Sequence, residues 1–299
     1  MTPHPVSLRA FLLLIVLIGA VVGLQALHER GGGPPASTTV NMLYVRSPEA
    51  MTRLALSYDA LLADVYWIRA VQHYGGTKLS TDPDKQYDLL YPLLDLTTSL
   101  DPRFNVAYTF GSIFLSEPPP GGPGRPDLAI ALLEKGLRAQ PQKWEFAQSI
   151  GFVHYWWRQD YDEAAAWFAR AAAFPNGPIW MAPLAATTLA QGGRRESSRL
   201  LWQQVARTAE HESFRNEAVR RLRQLDAMDQ LDGLREVVAA FQRSVGRLPS
   251  GWDDLRRAGS LPGIPVDPAG TPYRLESGIV SLAPDSPLNP LPTERVRIR

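Results

Sequence analysis

The chain contains no cysteine. That excludes disulfides, zinc–thiolate sites, cysteine nucleophiles and a lipid-modified cysteine at the N-terminus. Charge of one sign is also missing: 31 basic residues stand against 30 acidic ones. Such balance generates no field of the kind that recruits nucleic acid, so no nucleic-acid partner is expected. Histidine is scarce, at five residues, and His4, His28, His73, His154 and His211 form no His-x-x-x-His pair for a metal. Gly121-Gly122-Pro123-Gly124 lacks the lysine and preceding strand of a phosphate loop, and no Gly-x-Ser-x-Gly elbow occurs. The carboxylate pairs Asp162-Glu163 and Asp253-Asp254 are adjacent on helical stretches and point apart, which suits solvent better than a shared proton. Asp267 and Asp285 lie among turn-forming residues, where capping explains them better than a calcium ion. No catalytic residue, metal or cofactor is expected.

One long apolar run is present. Residues 10–27, AFLLLIVLIGAVVGLQAL, hold a single polar side chain, Gln25. Eighteen residues lie near the lower limit for crossing a bilayer. Arg9 precedes the run and His28, Glu29 and Arg30 follow it, a bias that puts the N-terminus in the cytoplasm. A cleaved signal peptide is the rival, but Leu24-Gln25-Ala26 is a poor cleavage site. The expectation is an uncleaved single-pass anchor in residues 1–30, followed by a Gly/Pro-rich linker over 31–56. The remainder would then lie outside the cytoplasmic membrane.

The informative stretch is 144–175, WEFAQSIGFVHYWWRQDYDEAAAWFARAAAFP. Phe146, Ile150, Val153 and Trp157 recur at helical spacing. After the polar turn Arg158-Gln159-Asp160, Tyr161 opens a second helix with Ala164, Ala165, Phe168, Ala171 and Ala172 on one face. Pro175 ends it, lacking the donor that a continuing helix needs. Gly151 and Ala164 are small, as residues at a helix crossing must be.

Ile150-Gly151, Tyr155, Asp160-Tyr161-Asp162-Glu163-Ala164, Phe168, Ala171 and Pro175 resemble the tetratricopeptide repeat, with a turn one residue longer than that family's. Similar but weaker units flank it. Leu90, Ala129, Ala164 and Ser197, at equivalent positions, are separated by 39, 35 and 33 residues (129−90, 164−129, 197−164). The resemblance implies stacked helix pairs over 57–209, because one unit cannot bury its own apolar face. It also implies a concave groove for peptides, lined by first helices. Trp67, Tyr108, Gln148, Phe152, Tyr155 and Trp156 are the candidate groove residues.

Around this array lie other helices. Residues 57–74 read as one, with Leu61, Leu62, Val65, Ile68 and Val71 facing the core and Gly75-Gly76 ending it. A helix over 87–100 carries Pro92, either in its first turn or at a kink. Residues 116–126, SEPPPGGPGRP, form an inserted loop. Residues 210–245 read as two helices broken near Asp229. From 246 to the end the chain is rich in proline and glycine, with a short helix from Pro249 and two strands around a turn at 276–278. Gly246-Arg247-Leu248-Pro249, Trp252, Leu255 and Asp267-Pro268-Ala269-Gly270-Thr271-Pro272-Tyr273 resemble the C-terminal part of type II secretion major pseudopilins. The N-terminal run lacks those proteins' processing motif.

The fold expected is therefore mainly α: a tetratricopeptide-like α-α superhelix after a transmembrane helix, with a small C-terminal α+β module. The function expected is a membrane-anchored scaffold at the bacterial cell envelope that binds proteins or peptide segments. One alternative is an accessory structural subunit of a type II secretion or pilus-like assembly. A second is an enzyme whose site escapes these motifs.

Overall fold

A computed structural model of the protein describes residues 16–20, 23, 51 and 57–295. Among the described residues the fold is mainly helical, with one two-stranded sheet near the C-terminal end. Among the described residues no helix is long and apolar enough to cross a membrane. The expected anchor, 10–27, lies almost wholly outside the described residues. The chain forms two compact units, 1–101 and 102–299.

In the first unit, α1 (Asp59–Leu79) packs on α2 (Leu90–Leu100). The inward face of α1 is not the expected one. Ala63, Tyr66, Ala70, His73 and Tyr74 are buried, whereas Leu61, Val65, Ile68 and Val71 are exposed. Both sets recur at helical spacing, so periodicity alone does not choose between them. The small residues Ala63 and Ala70 let α2 approach closely, and its Leu90, Leu93 and Leu94 are fully covered. Nor does Gly75-Gly76 end α1, which runs on to Leu79. Glycine weakens a helix by roughly 0.5–1 kcal/mol but keeps its backbone donor, so it does not stop one. Pro92 occupies the first turn of α2, where its missing N–H costs nothing.

His73 sits in this interface with both ring nitrogens lacking a hydrogen-bond partner. Burial lowers its pKa below the usual histidine value, and Arg69 adds to the shift. The Asp88 carboxylate opposes it, as does the Tyr87 backbone, close by but short of a hydrogen bond. His154, buried in the second unit, is lowered by burial and then by Arg158, against Asp160 and Glu163. For both, the unfolded chain takes up a proton that the folded chain refuses. Stability is therefore complete above the unfolded histidine value of about 6.5 and falls as pH drops below it, until each folded pKa is passed. Thermal melts from pH 7.5 to 5 are expected to show this fall, and His73→Phe is expected to flatten part of it.

In the second unit each helix packs on the next: α3 (Asn105–Ser116), α4 (Pro126–Ala139), α5 (Trp144–Val153), α6 (Tyr161–Ala172), α7 (Met181–Gln191), α8 (Arg195–Thr208) and α9 (Glu212–Val245). The loop 117–125 joins α3 to α4. Between α5 and α6 the chain makes a π-helical turn, His154–Arg158. A π turn closes its hydrogen-bonded ring with one more residue than an α turn, which accommodates the extra residue noted in the sequence. Gln159 (φ 51°) then adopts the left-handed conformation, and the Asp160 N–H donates to the His154 carbonyl (3.0 Å), closing the helix end. Asp160 Oδ1 caps α6 by accepting from the Glu163 N–H (3.2 Å).

The core of this unit contains Phe146, Ile150, Ala164 and Phe168, all fully buried. A β-carbon placed on Gly151 would come within 2.5 Å of the Phe168 ring. The small residue thus serves a ring one turn beyond Ala164, its expected partner. The buried face of α8 is Ser198, Trp202 and Val205, one residue off the expected Ser197. Ser198 Oγ donates to the Ala186 carbonyl on α7 at 2.7 Å.

The expected break at Asp229 is absent, because α9 is continuous over 34 residues. Asp229 lies on its outer face, accepting from Arg195 and Arg199. The first half of α9 packs Ala218, Leu225 and Met228 with Trp202 and Val205. Its second half packs Leu231, Leu234, Val238 and Phe241 against the C-terminal module. There, α10 (Trp252–Arg257) precedes a hairpin of β1 (Arg274–Glu276) and β2 (Ile279–Ser281), in which Leu275 pairs with Val280. Ser277 and Gly278 both have positive φ, 50° and 78°, as a two-residue hairpin turn requires.

Candidate functional site

The π turn positions two adjacent aromatics at the surface. Tyr155 and Trp156 lie within it, their rings edge to face at 5.0 Å. Tyr155 also meets Tyr161 edge to face at 5.4 Å, and its hydroxyl donates to Gln191 Oε1 on α7 at 2.6 Å. Tyr155 is therefore half-buried and fixed, whereas Trp156 is 57 % exposed. Gln148 is half-buried on α5, two turns before Tyr155.

The other candidates fall elsewhere. Phe152 is half-buried and stands edge to face on Phe168 at 5.1 Å, within the core cluster. Tyr108 has no exposed surface, and its ring lies 5.0 Å from Phe146. It fills the space between α3 and α5, so it has no face to offer a groove. Its own helix presents other residues outward: Val106, Phe110 and Ile113 are 49 %, 50 % and 41 % exposed. They are spaced by four and three residues and form one stripe on α3. Trp67 is half-buried on α1, in the unit 1–101. Of the six candidates, the structure brings only Tyr155 and Trp156 into contact; Phe152 joins the core, and Gln148 lies two turns earlier on α5.

Sequence reasoning missed the Val106–Phe110–Ile113 stripe. The alternation was visible: Ala107, Tyr108, Gly111 and Ser112 make a small-plus-aromatic face, leaving the aliphatic residues opposite. A second missed feature is an apolar cavity of about 230 Å³ between α7, α8 and the start of α9, lined by Ile179, Ala182, Val205, His211 and Phe214.

Two buried carboxylates of the C-terminal module hold turns together. Asp267 Oδ1 accepts from the N–H groups of Ala269 and Thr271 (2.8 and 2.9 Å), and Oδ2 accepts from the Ser286 hydroxyl. That is a turn cap tied to the following segment. Asp254 is buried and accepts from Arg247, Ser250 and Arg257; the Arg247 guanidinium, then Ser250, holds its carboxyl well below the usual range. Among the described residues, no group of three or more His, Asp or Glu side chains converges as metal ligands would.

No protein-family model matches the chain, and no curated protein matches it significantly.

Proposed function

We propose that this protein is a tetratricopeptide-like scaffold, held at the bacterial inner membrane by residues 10–27, with its globular part in the periplasm. It binds an apolar segment of a partner protein and performs no catalysis. The observation that carries this reading is the outward stripe Val106, Phe110 and Ile113 on a first helix of the array. Three large apolar side chains at helical spacing offer a ready anchor surface, and aromatic residues dominate binding energy at such surfaces. The fixed Tyr155 and exposed Trp156 on a later first helix support it. So does the succession of helices in the second unit, each packed on its sequence neighbour, with glycines where an adjoining ring comes close.

The test compares the tagged wild-type chain with Phe110→Asp in pull-downs from detergent-solubilised envelopes, with melting temperature measured alongside. The charged variant is expected to keep its melting temperature and to lose capture by roughly thirtyfold, about 2 kcal/mol on the hot-spot scale. Full capture by a folded Phe110→Asp protein would sink the proposal.

A second reading, an accessory subunit of a secretion or pilus-like assembly, is favoured by the C-terminal hairpin, whose Ile279 is 70 % exposed. Deleting the module would bare Leu231, Leu234, Val238 and Phe241 of α9, so Ile279→Asp is the cleaner discriminator. Loss of capture in that variant with Phe110→Asp unaffected would favour the subunit.

A further inference from the structure

The chain's C-terminal segment turns back across the helices. Leu288 is buried in the module core, and Leu291 packs against both that core and the α7–α9 cluster. Beyond Leu291 no described residue is buried, and the contacts become polar. Arg195, at the start of α8, grips Glu294 with two parallel bonds, Nε to Oε1 at 2.5 Å and Nη2 to Oε2 at 2.9 Å. The Arg295 N–H donates to the Gln191 carbonyl at 2.8 Å, and its guanidinium to the Tyr161 hydroxyl at 3.3 Å. Gln191 is the last residue of α7, where helix carbonyls lack an intrahelical donor.

We propose that Arg195, the Gln191 carbonyl and Tyr161 form a binding site for an extended segment bearing an acidic residue followed by a basic one, and that Glu294–Arg295 is a displaceable strap occupying it. Three features make the strap detachable. Its hold past Leu291 is polar, with no fully buried side chain to anchor it. Arg195 keeps Asp229 (2.9 Å) and Asp232 (2.6 Å) when Glu294 leaves, so the emptied site holds no unpaired charge. Pro292 keeps the segment out of helix and restricts it at low entropy cost, and such proline-bearing segments are commonly recognised without folding further. The arginine fork selects a carboxylate by its planar geometry. The Tyr161 hydroxyl accepts from a basic side chain immediately after it, and the Gln191 carbonyl takes that residue's backbone N–H.

The site borders the surface assigned to partner binding, because the Gln191 side chain accepts from Tyr155 and Tyr161 meets Tyr155 edge to face. The geometry of the strap stands by itself; its role as a gate for a partner rests on the scaffold reading. The gate acts by lowering the fraction of chains open to a competing segment.

The experiment uses the full chain in detergent micelles and a labelled peptide of residues 290–295, PLPTER, followed by fluorescence anisotropy. Glu294→Lys is expected to bind the peptide roughly tenfold more tightly than wild type, where the strap competes. A peptide with its glutamate changed to lysine is expected not to bind. If Glu294→Lys does not fold, Glu294→Gln takes its place. In the wild type, the Arg295 amide is expected to exchange with deuterium roughly tenfold or more faster than the Leu288 amide. Equal peptide binding by wild type and variant, binding by neither, or an Arg295 amide as protected as Leu288 overturns the strap. Any of these leaves the Phe110 test of the scaffold untouched.

Discussion

Phe168→Ala is expected to lower the stability of the second unit by about 3–5 kcal/mol, the range for removing a fully buried aromatic ring. Phe168 has no exposed surface. It fills the space left by the missing side chain of Gly151 and carries the edge of Phe152. Its loss opens a cavity at the crossing of α5 and α6, and relaxation across two packed helices is partial. The converse change acts on the same contact. Gly151→Ala puts a carbon where the ring stands and is expected to cost about 1–3 kcal/mol through overpacking. The double variant should be less damaged than the sum, since the added carbon enters the space the ring vacates. Chemical denaturation of the four proteins measures this, and strict additivity would show that the two residues do not share a site. Phe152→Ala is expected to lose stability as well, because its ring braces Phe168. Trp156→Ala, at an exposed position, is expected to leave the melt unchanged.

The α5–α6 pair was legible because several signals agreed there. The apolar positions of α6 form a single stripe, Asp160 supplies a cap, and Pro175 follows the end. The buried residues of α6 are accordingly Tyr161, Ala164, Ala165, Phe168 and Ala171, all five on or beside the expected face. The hairpin was legible for a similar reason, since Ser277-Gly278 sits between two short β-branched or aliphatic runs. By contrast, α1 carries two apolar stripes, one aliphatic and one small and aromatic. Hydrophobicity ranks the first as core, while the fit to α2 selects the second. A single aspartate at 229 read as a break because its partners, Arg195 and Arg199, lie 34 and 30 residues away. Long-range pairing of that kind leaves no local trace.

The candidate site was legible only by composition. Aromatics on first helices were marked as a group, but the ring that faces solvent and the ring that fills an interhelical gap belong to the same residue types. Tyr108 and Phe110 are two residues apart on α3, and their exposure is opposite, 0 % against 50 %. What separates them is the position of α5, whose Phe146 occupies the Tyr108 side. The strap was invisible for a further reason. Its Glu294 meets Arg195 across 99 residues of chain, and neither residue is unusual in its own neighbourhood.

Gln224→Leu is the second large effect expected, and it separates the anchored part of the C-terminal segment from the strap. Gln224 is completely buried in the middle of α9. Its amide group donates to the carbonyls of Leu288 (2.7 Å) and Pro290 (2.8 Å), and its oxygen accepts from Arg221 (3.0 Å). Leucine is one atom shorter and donates nothing, so both carbonyls lose their amide donor. Leaving such a buried group without a partner costs about 1–3 kcal/mol, which makes the expected loss larger than that of an ordinary surface change. Arg220, which donates to the Asn289 carbonyl at 2.9 Å, remains and holds the segment partially. The expected result is therefore a lowered melting temperature together with faster deuterium exchange across 284–291. Glu294→Lys, in contrast, should speed exchange only at the very end and leave the melt almost unchanged. If Gln224→Leu and Glu294→Lys lower the melting temperature equally, the segment is one cooperative element, and no part of it is free to act as a strap.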